Sequence, residues 1–299
     1  MKTTTIVSLV TGGTKGVGYC ISKELISKLR RSMTFMTSRE NTDGYSPLLA
    51  MELGFAATLR SKFLTMDIRD KETVKFHRDD MMSTWGGLDI LVNNAGIYFA
   101  PDEANFAKQA HSIIGTNYYG TQNVIKTFYN DFNPDARIVN ITSNLAHVKT
   151  NCGLKKTELK KIARERFSKV ENYEQLDDLV HQFLKAVDTG LWEDEGWPTC
   201  AYSVSKMAIN AYTKILQANF DQDPRKIVVN AVYPASHHKM IDQGDQKIIS
   251  DEDAARFVFQ IATIQPDSRG YLPKGHVIWD EKSFEVDEEG KVSYNAMHE

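Results

Sequence analysis

Cysteine is scarce in this chain: Cys20, Cys152 and Cys200 form an odd and scattered set. That excludes a disulfide framework and suits a reducing compartment. Long apolar runs are missing as well, and nothing approaches the roughly 20 residues that a membrane-spanning helix needs. The short run at residues 4–10 ends in a glycine turn and is too short for a signal peptide, so a cytoplasmic location is expected. Neither sign of charge is in excess. A formal net charge of −3 gives no pull toward nucleic acid or a membrane surface. Internal repeats and low-complexity linkers are absent too, so residues 1–299 are expected to form one domain.

What remains is an ordinary globular composition, 41% hydrophobic and 25% charged, sufficient for a sizeable core. Its organisation shows first at "TTIVSLVTGGTKGVGYCISKELISKL", residues 4–29. A run rich in Thr, Val and Ile leads into Gly12, Gly16 and Gly18, after which Ile21, Leu25, Ile26 and Leu29 recur at helical spacing. A glycine turn between a strand and a helix lets the backbone approach a ligand, and the helix start offers unpaired N–H groups to an anion. The spacing is G-x-x-x-G-x-G rather than the commoner G-x-G-x-x-G, and by itself it is a weak signal.

Six further strand-like runs follow, at 33–37, 62–66, 89–93, 137–141, 226–232 and 276–279, mostly separated by helical patterns. Seven strands with helical crossovers predict an α/β fold with a doubly wound parallel sheet. Residues 144–201 break the alternation with two apolar stripes and no strand. Leu159, Ile162, Ala163, Phe167 and Val170 form one; Leu176, Leu179, Val180, Phe183, Leu184 and Val187 form the other. They predict a helical insertion. The run 155–169 carries seven Lys/Arg and two Glu, read as the solvated face of the first inserted helix.

Four more places concentrate chemistry. "LVNNAG" (91–96) ends the fourth strand at the sheet edge where open α/β sheets bind ligands. Asn117 sits in a helical stretch, Ser143 lies just past the fifth strand, and Tyr202 and Lys206 share one helical face at i and i+4. Each has a bland reading as a turn or surface contact. Their order after a nucleotide-binding turn is what gives them weight.

In that order, "TGGTKGVG", "NNAG", Asn117, Ser143 and "YSVSK" resemble the short-chain dehydrogenase/reductase family over roughly residues 4–285. The long gap from Ser143 to Tyr202, "EGWPTCAYSVSK" (195–206) and "PKGHVIWDEKSFEV" (273–286) resemble its monomeric carbonyl reductases. The resemblance implies a Rossmann-type fold, a monomer, a polar tail over about 286–299, and NADPH-dependent reduction of quinones, aldehydes or ketones to alcohols. It gives Ser143 the substrate carbonyl oxygen and Tyr202 the proton donation. Lys206 tunes Tyr202 and contacts the cofactor, and Asn117 anchors a water that links the lysine to solvent. A free phenol, with a pKa of about 10, is a poor acid–base group at neutral pH, and a nearby lysine charge is expected to lower it.

Gly12, Thr14, Lys15, Gly16, Val17 and Gly18 fall to the cofactor turn by the same resemblance. An NAD enzyme usually has an acid after its second strand, whereas a 2′-phosphate calls for Arg. Here Ser38 and Arg39 follow that strand, and together with Lys15 they favour NADP(H). Asp67 and Ile68 match the position beside the adenine, and Asn94 one near the adenosine ribose. The segment "YPASHHKM" (233–240) departs from the family: Pro234 is kept, Ala235 stands for the usual Gly, and Lys239 falls near the usual Thr. Ser236 stands where the carbonyl reductases carry a bulky aromatic, and His237 is assigned to the cofactor side of the loop. The His237–His238 pair lacks the spaced partners of a metal site, so none is expected. Trp197 and Pro198 are expected to fix the approach to the catalytic helix. The partner is a small carbonyl compound. A second reading is a cofactor-binding protein with little turnover that uses the altered loop for regulation.

Overall fold

The computed structural model describes residues 5–99, 102–146, 157–234, 250–267, 270–278, 284–286 and 292–294. Its centre is an all-parallel sheet built from β1 (Ile6–Thr11), β2 (Ser32–Ser38), β3 (Ser61–Thr65), β4 (Leu88–Asn93), β5 (Phe132–Ile141), β6 (Val228–Val232) and β7 (Val277–Ile278). The strand order is β3-β2-β1-β4-β5-β6-β7. The chain starts in the middle, winds outward one way, then returns and winds the other. The order therefore reverses between β1 and β4, where doubly wound sheets open a crevice at their carboxyl ends. Ser8 pairs with Ile90 and Thr11 with Asn93, so the glycine turn and "NNAG" leave the sheet side by side.

Helices cover both faces, which is why Val7, Leu9, Val10, Leu91 and Val92 are all buried rather than alternately exposed. One face packs under α1 (Gly16–Lys28) and, late in the chain, α10 (Asp251–Ala262). Near β2 and β3 lie α2 (Tyr45–Leu53) and the short α3 (Phe55–Thr58). The other face carries α4 (Lys71–Trp85), α5 (Phe106–Ile114), α6 (Thr121–Phe128) and α9 (Ala201–Phe220). Between β5 and α9 come the inserted helices α7 (Thr157–Ser168) and α8 (Tyr173–Asp188). Their stripes face inward as the spacing predicts: Ala163, Phe167, Leu176, Val180, Phe183 and Val187 are buried. They pack against α5 and α9, which leaves α9 buried on nearly every side.

The strands differ from the sequence reading mainly at two places. The fifth begins at Phe132, five residues earlier than expected. Asp135, at φ 63°, lies in the left-handed region, and the ladder shifts register before resuming at Arg137 opposite Ile90. A Pro-Asp irregularity reads as a turn in sequence, yet the sheet carries it as a bulge. The second is the region of the polar tail expected over about 286–299, where β8 (Phe284–Val286) pairs antiparallel with β9 (Val292–Tyr294). Three-residue strands are too short for alternation to stand out.

Candidate active site

The glycine turn is shaped by close approach. Gly12 has φ +63°, and a Cβ there would lie 3.0 Å from Ala95 Cα. At Gly18 a Cβ would collide with the Asn94 amide and the Gly12 carbonyl oxygen. Asn94 explains the tightness: its Nδ2 donates to the Thr11 and Gly12 carbonyls, both at 3.0 Å. The N-cap residue Lys15 makes no side-chain cap to α1, so the helix start keeps N–H groups without a capping side chain. Thr14 and Val17 are buried beneath the turn. A backbone cradle without side chains at an uncapped helix start fits a dinucleotide pyrophosphate.

Charge gathers around the end of β2. Lys15 Nζ lies 3.4 Å from Glu40 Oε1, which brings the turn lysine within one residue of Arg39 and two of Ser38. The side chains of Lys15 and Glu40 are 76% and 68% exposed. Asp67 is gripped by Arg69, whose Nη2 donates at 2.6 Å. The Arg69 hydrogen bonds, with the more distant Arg39 charge, hold the Asp67 carboxyl below its usual range. Ile68 is buried against Gly120, where a Cβ would lie 2.8 Å from the Ile68 side chain.

Asn117 sits in a π-helical turn, Gly115–Gly120, that joins α5 to α6. Such widened turns are rare and recur at functional sites. Its Oδ1 accepts from the Ile97 N–H at 2.8 Å, and its Nδ2 donates to the Ile97 carbonyl at 3.0 Å and to Ser205 Oγ at 3.1 Å. Ser205 Oγ donates to the Tyr202 carbonyl at 2.7 Å. The other serine of "YSVSK", Ser203, donates to the Leu145 carbonyl and ties α9 to the turn that carries Ser143. Beneath, Asn93 donates to Asn140, and Asn140 to Thr213 on α9, both at 2.9 Å. This buried chain seats α9 on the sheet.

The four residues that the sequence pattern singles out converge. Ser143 stands close enough to the Tyr202 hydroxyl to pull its pKa downward. Lys206 Nζ lies 5.5 Å from the Tyr202 ring centroid and donates to the Ile141 carbonyl at 2.7 Å. A Cβ on Gly96 would stand 3.2 Å from Asn117 Oδ1 and 3.8 Å from Lys206 Nζ, so both reach the same strand end. Burial pushes the Tyr202 phenol well above its ordinary value, a shift that Ser143 only partly offsets. Burial also pushes Lys206 down to about 8. Burial is the largest influence on both groups and favours their uncharged forms, the direction opposite to the phenolate that a lysine charge would favour.

Two neighbours escaped the sequence reading. Tyr98 packs edge-on against Tyr202, with centroids 5.1 Å apart, and is 41% exposed. Tyr233, half-buried at the end of β6, also influences Tyr202. The only signals are an aromatic two residues after "NNAG" and one before Pro234. Pro234 is buried at the strand end, whereas Ala235, Ser236, His237, His238 and Lys239 lie outside the described residues. Trp197 is buried, lies against Phe183 and Phe167, and carries Arg166 over its ring at 4.8 Å, so it shapes the approach to α9. A separate cavity of about 440 Å³ beside α1 is lined by Gly16, Cys20, Lys23 and Asp251 among others, and by none of the four convergent residues. Among the described residues no cluster could hold a metal, and no helix is long and apolar enough to cross a membrane.

Comparison with known proteins agrees with this geometry. The family model described as short chain dehydrogenase matches residues 6–154. Carbonyl reductase [NADPH] 1 of Mus musculus is 31% identical over 286 residues, 94% of this chain and 99% of that protein. Carbonyl reductase [NADPH] 3 of Rattus norvegicus is 31% identical over 287 residues, 94% and 98%. Among solved structures, the menthone neomenthol reductase from Mentha piperita superposes with a TM-score of 0.73 at 27% identity, covering 92% of this chain and 99% of that one. A parallel sheet with its crevice at the β1–β4 reversal, a glycine cradle, a convergent Asn-Ser-Tyr-Lys set and relatives aligned nearly end to end lead to one conclusion: the chain belongs to the short-chain dehydrogenase/reductase family, close to its carbonyl reductases.

Proposed function

We propose that this protein is an NADPH-dependent carbonyl reductase. The observation that carries the reading is the buried Ser143–Tyr202–Lys206 arrangement beside the glycine cradle, with Tyr202 kept protonated. The cofactor is NADP(H), as the names of the related carbonyl reductases support. Gly12, Thr14, Gly16, Val17 and Gly18 form the pyrophosphate cradle, with Asn94 setting its shape. Lys15, Ser38 and Arg39 hold the 2′-phosphate, and Asp67 and Ile68 flank the adenine. When bound, NADPH supplies the hydride.

The chain's own residues do the rest. Ser143 Oγ, beside the Tyr202 hydroxyl, orients the substrate carbonyl oxygen. Tyr202 gives its proton to that oxygen as negative charge develops there, and a phenol held neutral by burial suits an acid. Lys206, with a pKa brought to about 8, exchanges protons near physiological pH and resupplies Tyr202. Asn117, fixed by Ile97 and Ser205, places its amide beside that route. Tyr98 and Tyr233 wall the substrate side, which favours flat carbonyl compounds such as quinones.

The chain works as a monomer, because α7 and α8 spend their apolar stripes on α5 and α9, an area otherwise open to a second subunit. The test is NADPH oxidation against a panel of quinones, aldehydes and ketones, with light scattering in parallel. Turnover of at least one class by a monomer is expected. NADPH binding with no turnover across the panel would replace the reductase with a silent binder.

A further inference from the structure

Asp177 lies on α8, 59 residues along the chain from Tyr118, yet it reaches the turn that carries Asn117. Tyr118 Oη donates to Asp177 Oδ1 at 2.7 Å, and Gln122 Nε2 donates to the same oxygen at 3.1 Å. The Tyr118 side chain is fully buried, between Tyr119 at 5.0 Å and Tyr212 of α9 at 6.3 Å. Burial drives the Tyr118 phenol pKa far upward, so the hydroxyl remains a donor that needs an acceptor. On this side the acceptor comes from the insertion.

We propose that Asp177 is a positioning residue that holds the π-helical turn in register so that Asn117 faces Ile97 and the Lys206 route. This rests on the reductase reading above. A π turn carries one residue more than the α-helix it interrupts, and each residue of register rotates a helix by about 100°. Relaxation to a regular helix would swing the Asn117 amide away from the Ile97 backbone and Ser205. Tyr118 is the next residue in the chain. Pinning its long, buried side chain to α8 fixes the rotation of the turn about its own axis, and Gln122 repeats the tie one turn later. The insertion thus does more than cover α9: it sets the geometry of the proton route from outside the sheet.

The test uses the full-length protein and two independent readouts. The first is hydrogen exchange at the Ile97 amide, which donates to Asn117 Oδ1 and needs no substrate. The second is the split between kcat and KM, with NADPH affinity measured alongside. Asp177→Val is expected to expose the Ile97 amide to exchange and to lower kcat about tenfold or more, since small displacements at a reacting centre cost that much. NADPH affinity and KM are expected to stay within about twofold of the native values. Asp177→Asn keeps an acceptor oxygen and is expected to restore most of both readouts. Tyr118→Phe removes the same link without orphaning a buried donor and gives the answer if Asp177→Val fails to fold. Native exchange at Ile97 and native kcat in a protein that merely melts earlier would overturn the proposal and leave Asp177 a structural tie. If the native protein reduces nothing, the reductase reading has failed, and the Ile97 amide alone decides whether Asp177 positions the turn.

Discussion

The two ends of the crevice are built on opposite physical principles. At the catalytic end, Tyr202 and Lys206 are removed from water, and desolvation shifts both toward their uncharged forms. Tyr202 stands by Ser143, and Lys206 donates to the Ile141 carbonyl. At the adenosine end, Lys15 and Glu40 stand mostly in solvent as an ion pair at 3.4 Å. Exposed pairs are screened and contribute little each. The contrast teaches where single atoms matter: the buried end depends on each one, and the exposed end averages over several charges.

The sharpest way to break this comparison is Tyr202→Phe. Losing one buried hydroxyl is expected to cut carbonyl reduction by roughly 10²–10⁴-fold in steady-state assays, with NADPH binding retained. Lys206→Met comes next. It is expected to abolish turnover and to alter stability with a definite sign. A lysine at about 8 in the fold and 10.5 by its ordinary value binds more protons when unfolded. Lys206 alone should therefore add about 2 kcal/mol of stability from pH 8 to pH 10, while Cys20 and the buried tyrosines, with pKa values raised by burial, pull the other way over the same range. The change in stability between the two pH values, from urea melts of the native protein and Lys206→Met, should differ by that amount, because the opposing groups are common to both.

At the exposed end the effects are smaller and depend on salt. Arg39→Asp is expected to reduce the preference for NADPH over NADH by roughly ten- to hundredfold in cofactor titrations, the scale of a charge-assisted hydrogen bond. Glu40→Gln is expected to tighten NADPH binding by at most about fivefold, because it frees Lys15 from a screened partner. That gain should vanish at high salt. A Glu40→Gln effect as large as that of Tyr202→Phe would erase the distinction between the two ends.

Much of the fold and the site is legible in the amino-acid sequence. The seven strands and the two inserted stripes follow from local periodicity, and the ordered set "TGGTKGVG", "NNAG", Asn117, Ser143, Tyr202 and Lys206 from its resemblance to the family pattern. Those signals survive folding because strand and helix periods are properties of neighbouring residues. The bulge at Asp135 and the β8–β9 pair are not legible, since a short irregularity looks like a turn until a partner strand aligns it.

The sequence by itself determined the α/β alternation, the glycine cradle and which side chains were candidates for the chemistry, because residue type and spacing decide those. Only the tertiary structure decided how deeply Tyr202 and Lys206 are buried, for burial is a sum over neighbours distant in the chain. It also decided that Tyr98 and Tyr233 stand by Tyr202, that Glu40 occupies Lys15, and that Asp177 reaches Tyr118 across 59 residues. No local pattern encodes such pairings, because they exist only once the sheet and the insertion bring their helices together.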